Sequence, residues 1–343
     1  MVMQIYSFKN DYSEIAHPKL LEALNRHCEE QNSGYGEDQY SLEAKNLIRK
    51  EINNMNSDIY FVSGGTQANL IVIASCLKPF ESVIAASTGH IAVHEAGAIE
   101  ATGHKINTVN TKDGKLNVKD IDSIMQEHQD EDMVNPRMVY ISNSTEVGTV
   151  YTKHELKDIF EYCRANNLIL FLDGARIGSA LTSSVNDMSL ADLSKYVDIF
   201  YIGGTKNGAL FGEAIVINNK KLQKNFRFHV KQRGALLAKG TAIGLQFREL
   251  FTDNLYFELA EHATKMAQKL ATGLKEQDIS FLTEPVSNQI FPILDNRLIS
   301  KLETKYAFYV WARVDENKSA IRLVTSWATK EEFVDKFIED LKG

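Results

Sequence analysis

Three short stretches hold residues whose types and spacing could do chemistry. From Phe61 to Asn69, an apolar strand-like run passes through two glycines into an apolar helix-like one. Glycine lets backbone N–H groups approach an anion, and a helix start carries roughly half a positive charge, so Gly64, Gly65 and Thr66 could cradle a phosphate. A tight turn is the competing reading, since the stretch fits neither GxGxxG nor the Walker pattern. From Leu168 to Arg176, an apolar strand ends in Asp173, with a cation three residues on. A carboxylate there is unfavourable to bury unless it is paired, although it could also cap the next helix with Arg176 as a surface partner. From Tyr201 to Gly208, Lys206 stands among glycines after another apolar strand. It is either a solvated loop residue or a desolvated amine that condenses with carbonyl groups. The three together match pyridoxal 5'-phosphate, whose phosphate needs N–H donors, whose pyridinium needs an acid and whose aldehyde needs a lysine.

A fourth place runs from Thr88 to Ala98 and holds His90, His94 and Glu95. Two histidines at i and i+4 followed by an acid could suggest a metal helix, but HxxxHE is not the HExxH order, and no metal is expected. His90 could instead lie flat on a cofactor ring, or simply start a helix.

The elements that must position these residues are legible in outline. Ile59–Val62, Val83–Ala86, Met138–Ser142, Leu168–Leu172, Val197–Ile202 and Ala214–Ile217 are mostly continuous apolar runs, as strands covered by helices on both faces require. Pro18 can occupy the first turn of a helix carrying Leu20, Leu21, Leu24 and Cys28, and a second helix is expected from Ser41 to Asn53. Thr152 and Glu155 form a capping-box pattern before Leu156. Beyond Leu255 the pattern changes to a long helix ending at Lys275, then the runs Ile290–Leu294, Tyr306–Trp311 and Ile321–Val324. The last helix is expected to be capped by Thr329 and Glu332, with Phe333, Phe337 and Leu341 on one side. The expected fold class is α/β: a large mixed, mostly parallel sheet domain and a smaller α+β C-terminal domain. The units are an arm over 1–15, a large domain over 16–252 and a small domain over 253–343.

With 343 residues, 44% hydrophobic and 24% charged, the chain can bury more than one sizeable core. Its net charge of −7, without a block of like charges, argues against a nucleic-acid or membrane-surface binder. The longest apolar run, near Leu70 to Leu77, is about eight residues, where a membrane span needs about 20. The start of the chain lacks a signal-peptide pattern, and Cys28, Cys76 and Cys163 show no metal or paired spacing. A cytoplasmic protein with inert thiols is expected.

At this level the sequence resembles the L-threonine aldolases, of the β-eliminating lyase group of aspartate-aminotransferase-like (type I) pyridoxal-phosphate enzymes, closest to the low-specificity bacterial branch. The likeness runs through Asn10-Asp11, Gly34-Tyr35-Gly36, Ser63 to Asn69, His90 to Gly97, Ser144-Thr145-Glu146, Asp173 to Arg176, Gly204 to Gly208 and Arg322-Leu323-Val324. It implies that Lys206 carries the cofactor, Asp173 partners its ring nitrogen, His90 stacks on the ring, and Gly64, Gly65 and Thr66 hold the phosphate. It further implies that Arg176 and Arg322 clamp the substrate carboxylate, that Asn10 and Tyr35 contact substrate, and that one of Lys231, Arg233 and Lys239 meets the phosphate. The implied assembly is a homo-oligomer, tetramer or dimer, with active sites at subunit interfaces. Many relatives carry Ser-Asp where this chain has Asn10-Asp11, and some have a histidine close to Glu146. The base for the substrate hydroxyl is therefore left among His90, His94 and Glu146 acting through water. The implied reaction is cleavage of L-threonine, L-allo-threonine or related L-3-hydroxy-α-amino acids to glycine and an aldehyde. β-Elimination or transamination of a small amino acid with the same cofactor, and a binding module on the same fold, are the alternatives.

Overall fold

A computed structural model of the chain describes residues 5–342. After a two-residue strand, β1 (Tyr6–Ser7), come β2 (Asp58–Val62), β3 (Glu81–Ala86), β4 (Ile106–Val109), β5 (Asn135–Ser142), β6 (Ile169–Asp173), β7 (Ile199–Gly203) and β8 (Glu213–Ile217). β2 to β8 form one seven-stranded sheet in the order β2-β8-β7-β6-β5-β3-β4. The run from β4 through β7 is parallel, whereas β8 is antiparallel to both β7 and β2, so the sheet is mixed.

The continuous apolar runs fill both faces of this sheet by simple alternation. Val139, Ile141, Leu170, Leu172 and Phe200 enter one core, and Met138, Tyr140, Ile169, Phe171 and Tyr201 enter the other. Each such fully buried side chain contributes about 1.5–3 kcal/mol, so Leu172→Ala is expected to lose at least about 2 kcal/mol. β4 was not anticipated by sequence: Ile-Asn-Thr-Val is short and half polar, and the strand sits at the sheet edge, where Asn107 Nδ2 donates to Ser82 Oγ at 2.9 Å.

Helices cover the sheet. Thr152 and Glu155 make the expected capping box at the start of Lys153–Ala165. The first helix, Pro18–Arg26, does begin at the proline but buries Leu20 and Ala23; Leu21 is exposed and Cys28 lies past the helix end. The expected apolar face was thus rotated. The second helix spans Gln39–Glu51, with the Asp38 side chain accepting from the Ser41 N–H.

The long helix Leu255–Lys275 leads into β9 (Gln289–Ile290), β10 (Ile293–Asp295), β11 (Tyr306–Ala307), β12 (Tyr309–Arg313) and β13 (Lys318–Val324). β13 pairs antiparallel with β9, β10 and β12. The run expected over Ile290–Leu294 is broken at Phe291-Pro292, because proline has no N–H for a ladder. The last helix, Glu331–Asp340, has no side-chain cap: Thr329 Oγ1 instead accepts from the Ser326 N–H at 2.8 Å. Phe337 is buried, Phe333 half-buried, and Leu341 lies just beyond the helix. Of the segment 1–15, positions 1–4 lie outside the described residues. β1 pairs in parallel with β11, and Phe8 is fully buried among Leu270, Ile321, Leu323 and Phe337.

Candidate active site

At the carboxyl edge of the sheet, Ser63 follows β2, β5 and β6 end in Ser142 and Asp173, β7 leads into the loop to Lys206, and β8 starts at Glu213. Ligands of open α/β sheets bind along such an edge. A cavity of about 680 Å³ opens there, lined among others by Gly64, Gly65, Thr66, His90, Asp173, Arg176, Lys206 and Arg322.

Asp173 forms the floor. Tyr140 Oη donates to its Oδ2 and Tyr201 Oη to its Oδ1, each at 2.5 Å; Asn69 Nδ2 (3.1 Å) and the Ala175 N–H (3.0 Å) complete the shell. Burial pushes this carboxyl up, but the nearby His90 and the hydrogen bonds from the two tyrosines and Ala175 outweigh it and hold Asp173 below the ordinary carboxylate range. Asp173 is therefore ionised. Arg176, which would have been a surface partner of Asp173 only under the competing helix-cap reading, forks onto Asp11, which also accepts from Asn288 Nδ2 at 2.9 Å.

His90 opens the short helix His90–Val93. Its Nδ1 lies 2.7 Å from Oε1 of the buried Glu95, which leaves Nε2 uncommitted to that carboxylate. Asn69 Nδ2 reaches Glu95 Oε1 at 2.6 Å as well as Asp173, so one amide ties the floor to the histidine. Glu146 accepts from the His90 N–H (2.9 Å) and from Ser142 Oγ (2.7 Å). Burial, reinforced by the charge of Asp173, pushes the Glu146 carboxyl up. The His94 ring lies 5.5 Å from that of His90, and burial together with His90, Arg322, Lys206 and Arg176 pushes its pKa down. Among the described residues no group of His, Cys, Asp and Glu is arranged to hold a metal ion.

Lys206 reaches the cavity from a loop fastened to β8. A Cβ on Gly204 would lie 2.7 Å from Gly212 O and 2.9 Å from the Phe247 ring, so the chain passes there only as glycine. Burial pulls the Lys206 amine down, helped by Arg176 and opposed by Asp11, Asp173 and Glu213. The guanidinium of Arg322 on β13 lies over the rings of Tyr309 and Trp311, 5.2 and 5.1 Å from their centroids, and its Nη2 donates to Lys9 O at 3.2 Å. Its Nε is buried without a partner among the described residues.

Two expected residues stand apart. Asn10 Oδ1 accepts from the Tyr12 N–H and Ser13 Oγ, a local turn rather than a cleft contact. Tyr35 lies on another face, in an exposed pocket with Arg227, Phe228 and Leu236, with Lys231 Nζ 4.8 Å from its ring centroid. Of the three candidate cations, Arg233 is tied to the glycine loop: its carbonyl accepts from Gln67 Nε2 at 3.4 Å, and Gln67 Oε1 accepts from the Ser63 N–H. Lys239 is exposed ahead of the helix Thr241–Phe251. The sequence reading missed Asn69, Glu95, Tyr140, Tyr201 and Glu213 as site residues. For Asn69, Tyr140, Tyr201 and Glu213 the common signal was a polar group on an apolar strand or helix; Glu95, just past the helix His90–Val93, had only its place after the two histidines.

The lining fits pyridoxal phosphate. An ionised buried Asp173, a desolvated Lys206 and the uncapped start of the helix Gly65–Cys76 open on one space. Gly65 packs so close that a Cβ would meet Tyr201 Oη at 3.0 Å.

The sheet order and this lining define an aspartate-aminotransferase-like (type I) pyridoxal-phosphate enzyme. An aspartate aminotransferase mutant structure from Thermus thermophilus superposes with a TM-score of 0.73 at 15% identity, over 98% of this chain and 91% of that one. Residues 18–297 match the family described as β-eliminating lyase, and the chain belongs to that family. It is 30% identical to a low-specificity L-threonine aldolase from Pseudomonas sp. (strain NCIMB 10558), over 100% of this chain and 99% of that one. A threonine aldolase structure from Leishmania major is 50% identical, with a TM-score of 0.97 over 98% of each chain.

Proposed function

We propose that this chain is an aldehyde-lyase, a low-specificity L-threonine aldolase that cleaves L-threonine, L-allo-threonine and related L-3-hydroxy-α-amino acids to glycine and an aldehyde. The observation that carries this reading is the single cavity in which Lys206, Asp173, His90, Arg176 and Arg322 meet. When bound, pyridoxal phosphate supplies an aldehyde that condenses with amines and a ring that accepts electrons. Lys206 offers a desolvated amine to that aldehyde. Asp173, kept ionised by His90 and two tyrosines, would keep the ring nitrogen protonated, and the N–H groups of Gly64, Gly65 and Thr66 would hold the phosphate. Arg176 and Arg322 clamp the substrate carboxylate, which fixes the bond that is to break. His90, oriented by Glu95 through Nδ1, takes the β-hydroxyl proton at Nε2; His94 and Glu146 through water are the alternate bases.

The chain is read as an arm (1–15), a large domain (16–252) and a small domain (253–343), working in the cytoplasm as a homo-oligomer, tetramer or dimer. No helix among the described residues is long and apolar enough to cross a membrane. The exposed face carrying Tyr35 and Phe228 supports an assembly of copies.

The test is absorbance of the cofactor-loaded protein before and after borohydride, followed by incubation with L-allo-threonine. A visible band lost on reduction and missing in Lys206→Ala, with acetaldehyde and glycine released, supports the reading. Ammonia and a keto acid as products would replace the reaction, and no band in a fully loaded preparation would sink the reading entirely.

A further inference from the structure

Glu213 is a buried carboxylate that the mechanism above does not use. It begins β8, the one strand that runs against its neighbours, and register places it opposite Gly203 of β7 on one side and Val62 of β2 on the other. It therefore lies between the glycine loop and the loop carrying Lys206, and it lines the same cavity as Lys206 and Asp173. Its Oε2 accepts from the Gly204 N–H at 2.8 Å, two residues before the lysine. Among the described residues no cation stands within ion-pair distance of it, so two buried groups, each with every reason to be neutral, share one cavity without a direct contact. The charged and titratable groups that face the two are Arg176, Asp11, Asp173 and His94 around Lys206, and Asp173, Tyr201 and Tyr256 around Glu213.

We propose that Glu213 is the proton partner of Lys206, a positioning residue that acts on the cleft through the lysine amine. A proton leaves the Nζ ammonium and joins a Glu213 oxygen across one water: one N–H bond breaks, one O–H bond forms, and ammonium plus carboxylate become amine plus carboxylic acid with no other reactant. The directions agree with this exchange. Burial pushes Glu213 up, against the opposing pull of the Thr205 and Gly204 hydrogen bonds and of Lys206, while burial pulls Lys206 down and Glu213 opposes that. Each group thus supports the charged form of the other, and one proton can sit on either.

This inference rests on the reading that Lys206 carries the cofactor. The test is a pH titration of the visible absorbance of the cofactor-loaded protein. Glu213→Gln keeps an acceptor for the Gly204 N–H but removes the charge that favours a protonated nitrogen, so the spectral midpoint shifts to lower pH, and Glu213→Asp returns it toward the wild-type position. An unmoved midpoint in Glu213→Gln overturns the proposal, whatever happens to the melting temperature, because a carboxyl that only ties the loop to β8 would not change the titration. Should the glutamine variant fail to fold, Glu213→Ala carries the same comparison: it removes the same charge, lowers the midpoint likewise, and an unmoved midpoint overturns the proposal. A wild-type protein without a reducible visible band is a separate result, which removes the cofactor reading itself and this inference with it.

Discussion

Arg176 grips Asp11 with two nitrogens, Nε at 2.7 Å and Nη2 at 3.0 Å, across 165 residues of sequence. Asp11 is buried and the arginine side chain is 12% exposed, so neither is released to water if the other is removed. Removing one partner of such a pair leaves an uncompensated charge, and Asp11→Ala should lower stability by about 3 kcal/mol in urea unfolding. The pH dependence has a definite sign. Burial raises the Asp11 pKa, but Arg176, Lys206 and the hydrogen bonds bring it below its ordinary 3.8. Its contribution is therefore complete above the unfolded value and is lost as pH falls through the lower folded one. Acid unfolding of the wild type and Asp11→Ala should converge at the acid end; a constant gap would count against the ion pair.

Glu95 fixes the His90 ring through Nδ1. Glu95→Gln keeps the shape but presents an amide that can donate where the carboxylate accepted, so the wrong nitrogen can carry the proton. We expect kcat for threonine cleavage to fall about 10²-fold, with the melting temperature nearly kept. Unchanged kcat would remove His90 from the proton path.

Tyr140 and Tyr201 each hold one oxygen of Asp173. Tyr201→Phe should weaken cofactor binding by about 1.5–3 kcal/mol, the usual worth of a hydrogen bond to a charged group. Gly65→Ala should act on the same shell from the other side, because its Cβ meets Tyr201 Oη at 3.0 Å. In the double variant the second loss should be smaller than the first; fully additive losses, measured by equilibrium dialysis of pyridoxal phosphate, would mean the two residues act separately.

The thiols offer a structural check. Burial pushes Cys76 up to about 12 and raises Cys163 further, while Cys28 is exposed. A disulfide reagent on the native protein should therefore find one fast thiol, lost in Cys28→Ser, and reach the other two only on unfolding. Three equally fast thiols would contradict the full burial of Cys163 on the helix Lys153–Ala165.

What could be read from the chain without coordinates divides along physical lines. Strands such as Ile169–Asp173 declare themselves because a sheet covered on both faces needs apolar residues at every position, whereas β4 at the edge has no such need. Lys206 and Asp173 stood out because charge is rare at the end of an apolar run. Tyr140 and Tyr201 did not: only the order β7-β6-β5 places them on either side of Asp173, and a tyrosine in an apolar strand reads as core. The pairing of Arg176 with Asp11 was not legible, because nothing local shows that the chain near Asp11 returns across the cleft. Tyr35, set apart from the cavity of its own chain, was nominated by family likeness rather than by any pattern of its own.

The pairing of β1 with β11, and the stacking of Tyr6 on Phe333 with ring centroids 3.9 Å apart, have a bearing on how the enzyme is made. On the ribosome, Tyr6 emerges some 300 residues ahead of its partners; at about 5–20 residues per second it waits for tens of seconds. Phe8 stays without its core for that interval, and the wall of the cleft that carries Arg322 is the last to arrive. A nascent chain interrupted before β13 would hold Asp11, Asp173 and Lys206 but lack one of its two arginines, so synthesis itself keeps the site closed for business until nearly the whole chain is present.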